Sequence, residues 1–190
     1  GATARHAGTY TGPGDQVVLV DRSVTLQGGW DSGFTSQNDV STVDGANSRI
    51  GIRVAGAAAR IERFLVENGV SSGPFPEGGG ILVGGPGGAI GASLVLDEST
   101  VRNSHAGGVW AEAPLTVTNS TITGNSSNLS SVGGGLTIFG SGPLVVRNST
   151  ISGNSATQGG GILVHPIIVT KLELSNATVA GNSAQTGGGV

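Results

Sequence analysis

An all-β solenoid of stacked parallel strands, a parallel β-helix of about seven coils, is the fold that this sequence predicts. Three observations predict it: one phrase recurs about every 27 residues, glycine fills 36 of the 190 positions, and short runs rich in Val, Ile, Leu and Thr separate the glycine clusters. Such runs, three to five residues long and bounded by turn residues, are typical of β-strands. Charged residues make up only 11% of the chain, so neither a helical bundle nor a coiled coil fits.

The recurring phrase reads NSTITGNSS from Asn119, NSTISGNSA from Asn148 and NATVAGNSA from Asn176, with a weaker copy, DESTVRNSH, from Asp97. An aliphatic residue follows each glycine cluster, at positions 81, 109, 136, 162 and 190, which are 28, 27, 26 and 28 residues apart. Three short strands and three turns use about 27 residues, so one repeat forms one coil.

Like residues of successive coils are expected to stack, because each strand pairs with its own copy one coil away. The predicted aliphatic columns are Ile122, Ile151 and Val179, extended by Val101 and Val66, and Val109, Leu136, Ile162 and Val190. The predicted side-chain amide ladders are Asn119, Asn148 and Asn176 in one turn, and Asn125, Asn154 and Asn182 in another.

We expect one continuous domain, with irregular coils over 1–47 and regular coils over 48–190 that carry a Gly/Pro-rich insertion at 71–92. Segments 17–20 and 23–26 are predicted strands, and 28–31 is a predicted turn. Segment 57–67 has both helical and strand spacing, and the phase of the repeat favours strand. The chain starts at Gly1 without Met, so we expect it to be a piece of a longer protein.

The repeats resemble a known group of proteins. Gly87-Gly88-Ala89-Ile90, together with spacings such as Ile122 to Asn125, resembles the GGA[ILV] and FxxN repeats of chlamydial polymorphic outer-membrane proteins, with an aliphatic residue in place of Phe. The opening, with Thr9-Tyr10 and later VTLQGG from Val24, is similar to the first coils of pectate-lyase-like proteins. The resemblance implies a right-handed, single-stranded β-helix, a fold that carries lyases, hydrolases, adhesins and inert stalks.

Composition excludes several function classes. The net charge is −3, so the chain lacks the excess of positive charge that nucleic-acid-binding proteins use to contact phosphates. No apolar run approaches the length of a membrane span, and without cysteine there are no disulfides or thiolate sites. Neither a metal nor a cofactor is expected, since the glycine-rich turns carry Asn, Ser and Gln where calcium-binding repeats need Asp.

Asp97, Glu98, Arg102 and His105 form the densest local group of chemically useful side chains. On adjacent coils this group could be joined by Glu67, Arg63 and Arg147. A β-helix lyase needs clustered carboxylates and a base, and a glycoside hydrolase needs two carboxylates at a fixed separation. The acidic residues are otherwise scattered, so the favoured interpretation is solvated surface charge.

Binding, if present, is expected on the insertions at 31–47 and 71–92, because loops vary while coils cannot. The aromatic residues best suited to stack on sugars are Trp30, Phe34, Phe75 and Trp110, for each of which buried packing is an equal alternative. Threonines that recur at the same position of successive repeats make ice binding a lesser alternative.

The sequence therefore favours a non-catalytic structural or adhesive module of a secreted or cell-surface bacterial protein. Its expected partners are further copies of itself, stacked end to end into a fibre, or surface glycans. The alternative is a carbohydrate-active enzyme, of the polysaccharide lyase or glycoside hydrolase type, or a polysaccharide-binding module.

Overall fold

The computed structural model describes residues 2–71, 78–85, 90–129, 132–140, 142–165 and 169–190. The described part consists of β-strands joined by turns and contains no helix. In chain order the strands are β1 (Ala2–His6), β2 (Gly8–Tyr10), β3 (Gln16–Val20), β4 (Val24–Trp30), β5 (Ser41–Asp44), β6 (Ile50–Val54), β7 (Ala58–Glu62), β8 (Phe64–Glu67), β9 (Ile81–Val83), β10 (Ser93–Asp97), β11 (Thr100–Arg102), β12 (Val109–Ala111), β13 (Leu115–Thr118), β14 (Thr121–Thr123), β15 (Leu136–Ile138), β16 (Gly142–Arg147), β17 (Thr150–Ser152), β18 (Ser155–Gln158), β19 (Ile162–Val164), β20 (Val169–Ser175), β21 (Thr178–Ala180) and β22 (Ser183–Thr186).

Three long parallel sheets run along the described chain, and each coil adds one strand to each sheet, except that the last coil adds no strand to sheet C. Sheet A has the order β1-β4-β7-β10-β13-β16-β20, sheet B has β2-β5-β8-β11-β14-β17-β21, and sheet C has β3-β6-β9-β12-β15-β19. Strands β18 and β22 form a fourth, two-stranded sheet beside the last coils. Seven strands in each of sheets A and B give seven coils within the described residues, which confirms the predicted β-helix.

Aliphatic residues of successive coils stack in the core. Register pairs join one column through sheet B: Val43, Val66, Val101, Ile122, Ile151 and Val179. A second column runs through sheet C: Val18, Ile52, Ile81, Val109, Leu136 and Ile162. Each buried aliphatic side chain contributes about 1.5–3 kcal/mol relative to exposure, so these columns are the main stabilising feature of the rod. Val190 follows Ile162 in the same series, because the backbone N–H of Ile162 donates to the carbonyl of Gly189 at 2.9 Å just as that of Leu136 donates to Gly161, and Val190 is 56% exposed.

In three segments the strands decide between, or change, the structures predicted from the sequence. Strands β7 and β8 occupy the segment 57–67, so the helical alternative is wrong there. Strand β4 continues through Trp30 into the stretch predicted as a turn. The segment 71–92 is not a single insertion, because β9 lies inside it and Ile81 stacks between Ile52 and Val109. The prolines and glycines of this segment obscure the three-residue strand Ile81–Val83, which pairs with β6 and β12.

Candidate functional site

Asp97 lies at the end of β10, where partners from neighbouring coils surround its carboxylate. It accepts hydrogen bonds from Thr118 Oγ1 at 2.8 Å and Asn119 Nδ2 at 2.9 Å, and it forms an ion pair with Arg60. Partial burial raises the pKa of Asp97, but the two hydrogen bonds and the arginine charge outweigh burial, so the net pKa lies below its usual value. A carboxylate with a lowered pKa is a poor general base near neutral pH.

Glu98 and Arg102 are each paired with an opposite charge one coil earlier. Arg63 Nε lies 2.9 Å from Glu98 Oε2. Arg102 donates from Nε and Nη2 to Glu67 Oε2 at 2.9 and 2.7 Å. Two of the three residues expected to join the group therefore do so, as ion-pair partners that brace adjacent coils.

His105 lies on the turn that follows sheet B and contacts the next coil. Its Nδ1 is 3.0 Å from Ser126 Oγ. These two residues, with Asn128 and Ser155, help to line a surface hollow of 370 Å³. The hollow is lined by hydroxyl, amide and imidazole groups, and sequence reasoning had singled out only the histidine.

The four candidates occupy successive parts of one coil rather than a shared groove. Asp97 ends a strand of sheet A, Glu98 is in the following turn, Arg102 ends a strand of sheet B, and His105 is in the next turn. Each binds a different partner. Arg147 lies two coils beyond Asp97 on sheet A, where its Nε donates to Glu173 at 3.2 Å. Among the described residues, no group of three or more histidine, aspartate or glutamate side chains is placed to hold a metal ion.

The aromatic candidates differ in how far they are accessible. Trp110 is only 2% exposed, so its ring cannot stack on a sugar, and of its two predicted alternatives buried packing is the one observed. Trp30 is half-buried, and its indole Nε1 has no hydrogen-bond partner in the described chain. Phe34 is 48% exposed. Phe75 lies outside the described residues, as does the stretch Gly87-Gly88-Ala89.

Trp110 is covered by a small second core on the outer face of sheet C. Ile50, Leu82 and Val132 are buried with it, and Phe139 stacks on its ring with a centroid distance of 5.8 Å. Leu129 is partly buried and packs against the same cluster. Val132 and Leu129 therefore help to cover the outer face of sheet C, a role that the sequence did not reveal.

An exposed asparagine ladder runs along the turn between sheets A and B. Asn176 Nδ2 donates to Asn148 Oδ1 at 2.8 Å, and Asn148 Nδ2 donates to Asn119 Oδ1 at 3.3 Å. The ladder ends on the carboxylate of Asp97. All three asparagines have φ 49°, a left-handed conformation that asparagine tolerates better than other side chains. Backbone geometry thus explains the residue type at this position.

A second asparagine ladder is buried at the turn that follows sheet B. Asn154 Oδ1 accepts from both the backbone N–H and Nδ2 of Asn125 at 3.0 Å, and Asn154 Nδ2 donates to Asn182 Oδ1 at 2.9 Å. Asn154 Nδ2 also donates to the carbonyl of Ile122 at 3.0 Å. Asn125 and Asn154 are each 1% exposed, so these bonds satisfy groups that water does not reach.

A family match agrees with this architecture. Residues 50–190, more than half of the chain, match the model of the right-handed β-helix region. The chain belongs to the right-handed β-helix family. Comparisons with curated proteins and with solved structures found no match. The described part of this β-helix contains no helix with the length and apolar character that a bilayer crossing requires.

The two repeated phrases of this right-handed β-helix touch one another. A Cβ on Gly108 would lie 2.8 Å from Asn125 Nδ2 and 2.7 Å from the carbonyl of Gly135. A Cβ on Gly161 would lie 2.8 Å from Asn182 Nδ2. The last glycines of three clusters, Gly108, Gly135 and Gly161, leave room for the asparagine of the next coil, which is why the phrases recur together there.

A buried serine ladder completes the polar framework of the β-helix. The backbone N–H of Ser99 donates to Ser120 Oγ at 3.1 Å, and that of Ser120 donates to Ser149 Oγ at the same distance. The signal was present in the sequence, since a serine precedes the threonine of the phrase in each of these copies. Ala177 takes this position in the last copy.

Proposed function

We propose that this chain is a non-catalytic, rod-forming β-helix module that serves a structural and adhesive role in a secreted or cell-surface bacterial protein. The observation that carries the proposal is the engagement of the candidate charges: Asp97, Glu98 and Arg102 are each bound to a partner on a neighbouring coil. Ionic groups that link coils resist shear between them, which suits a load-bearing rod.

The framework of the rod supports the same role. The aliphatic columns pass through every coil, and asparagine and serine ladders join the turns of the later coils. In a solenoid each coil is stabilised by its neighbours, so a continuous set of such links raises the cost of opening any one coil. The resemblance of the repeats to bacterial surface proteins supports the proposed location.

Stacking of copies end to end is part of the proposal. The edge of any β-helix coil presents backbone N–H and C=O groups that another strand can pair with. Analytical ultracentrifugation over a concentration series, with electron microscopy, would show rods that lengthen with concentration. A single particle length at all concentrations would remove the fibre from the proposal.

Two assays on the purified protein test the main role. We expect resistance to proteinase K and thermolysin at 37 °C over hours, with cleavage confined to the loops outside the sheets. We also expect no reducing ends and no unsaturated uronates from pectate, alginate or neutral glucans, with or without calcium. Turnover that is lost in Asp97→Asn but kept in Glu173→Gln, a carboxylate on the same sheet, would overturn the proposal in favour of an enzyme.

A further inference from the structure

Phe34 lies in the loop that follows β4 and is 48% exposed, and the carboxylate of Asp31 accepts five hydrogen bonds from this loop. Asp31 Oδ1 accepts the backbone N–H groups of Gly33 at 3.0 Å and Thr35 at 2.9 Å. Asp31 Oδ2 accepts the hydroxyls of Thr35 at 2.7 Å and Ser36 at 2.8 Å, and the backbone N–H of Ser36 at 3.1 Å. These bonds, the Thr35 hydroxyl foremost, hold the pKa of Asp31 far below its usual range, so the loop keeps its anchor in acid.

The loop is also tied to the rod at its far end. Gln37 Nε2 donates to the carbonyl of Gly28 at 2.8 Å, and Arg63 Nη1 donates to the carbonyl of Gln37 at 2.8 Å. Gln37 further forms an antiparallel bridge with Trp30. The loop is thus pre-organised, and a ligand that meets it need not supply the cost of ordering it.

Phe34 is placed against the local preferences of the chain. It has φ 53°, a left-handed conformation that is a genuine outlier for a bulky residue, while its neighbour Gly33 is not in that region. About half of the residue's surface is exposed to solvent. A half-exposed phenylalanine in a backbone conformation suited to glycine is poorly explained by folding alone and is a candidate for function.

The surroundings of the ring indicate the chemistry of the ligand. Residues 31–39 read DSGFTSQND, which combines hydroxyl and amide side chains with two aspartates and no cation. The C–H face of a sugar ring is apolar and stacks on an aromatic face, while its hydroxyls need polar neighbours of the kind found here. Arg63, the cation that contacts the loop at Gln37, is paired with Glu98, so Asp31 and Asp39 leave the loop acidic. An acidic loop repels polyanions such as polyuronates, because like charges at a contact are costly.

We propose that Phe34 is the contact residue of a binding site for an uncharged polysaccharide, held out from the rod by the Asp31 loop. This inference rests on the proposed function, since it names the adhesive element of the module. It selects Phe34 from the four aromatic candidates, and it selects neutral glycans from the possible surface polymers.

Affinity electrophoresis in native gels that contain soluble polysaccharide tests the site, because retardation by a polymer detects weak, repeated contacts. We expect retardation by at least one neutral polymer among mixed-linkage β-glucan, galactomannan and xyloglucan, and none by polygalacturonate. Phe34→Asn keeps a residue that tolerates left-handed φ and is expected to lose the retardation. Leu19→Ala, which removes an apolar side chain of similar exposure (50%) from sheet C, is expected to keep it.

Retention of binding by Phe34→Asn, loss of binding by Leu19→Ala, or retardation by polygalacturonate alone would each overturn the inference. Absence of retardation in every neutral polymer would overturn it as well. Circular dichroism and proteinase K resistance of both variants show whether the rod is intact. If the wild-type protein resists proteinase K but binds no neutral polymer, the binding site is refuted and the structural role is retained. If the wild-type protein cleaves the polymer, the structural role is refuted.

Discussion

Replacement of Asn154 by alanine is expected to lower the free energy of unfolding by about 3–6 kcal/mol. The side chain is 1% exposed and makes four hydrogen bonds, two with Asn125 and one each with Asn182 and the carbonyl of Ile122. The variant leaves three buried groups without this partner: the backbone N–H and the Nδ2 of Asn125, and the carbonyl of Ile122. An orphaned buried group costs about 1–3 kcal/mol, and Asn125 Nδ2 keeps its bond to the carbonyl of Val101; the lower half of that interval, about 1–2 kcal/mol, applied to all three groups gives the stated range.

Asn148→Gly is the matched control on the same coil. Asn148 belongs to the exposed ladder, and glycine accepts its left-handed φ of 49° without strain, so we expect a change of about 0.5 kcal/mol or less. Urea unfolding followed by far-UV circular dichroism and tryptophan fluorescence, extrapolated linearly to water, measures both variants. An Asn154→Ala protein within about 1 kcal/mol of wild type, or an equally destabilised Asn148→Gly protein, would refute the argument that burial of the amide ladder stabilises the rod.

Three further predictions concern packing, charge and aromatic burial. Gly108→Ala is expected to lower the free energy of unfolding by about 1–3 kcal/mol through overpacking. Gly14→Ala is expected to be tolerated, because a Cβ there would meet nothing closer than 3.8 Å. Thermal melting curves of the two variants measure the difference. Asp97 has a folded-state pKa below its ordinary 3.8, so the stability it contributes is present above that pH and is lost as the pH falls further. Urea midpoints measured from about pH 6 to about pH 2 should therefore fall less steeply for Asp97→Asn, and an unchanged slope would contradict the assignment. With Trp30→Phe in place, Trp110 alone should emit at short wavelength and resist acrylamide quenching, and a red-shifted, readily quenched emission would show that it is exposed.

The stacking of like residues from one coil to the next was predictable because it depends only on the repeat length. Once Ile122, Ile151 and Val179 are one coil apart, parallel pairing must stack them, and the structure pairs them in that order. The strand Ile81–Val83 was harder to see as part of this pattern, since glycines and prolines surround it. Periodicity identified the column but not the strand boundaries.

The outward-facing side of the coils was not predictable in the same way. Arg60 and Asp97 are 37 residues apart and meet because their strands are neighbours in sheet A. Phe139 and Val132 close over Trp110 from later parts of the chain, so an aromatic side chain that faces outward is nevertheless buried. Such contacts depend on side-chain reach and on the paths of turns, neither of which repeats with the coil.

The amino-acid sequence by itself determined the β-helix, the number of coils and the residues that stack within it, because a fixed interval between like residues admits few other folds. Only the tertiary structure decided which outward-facing groups are accessible: it buried Trp110, paired the charges of the candidate cluster and left Phe34 at the surface. The physical reason is that stacking depends only on the pairing of each strand with its copy in the next coil, which repeats along the chain. Exposure depends on every chain segment that packs over a given side chain, and those segments do not repeat.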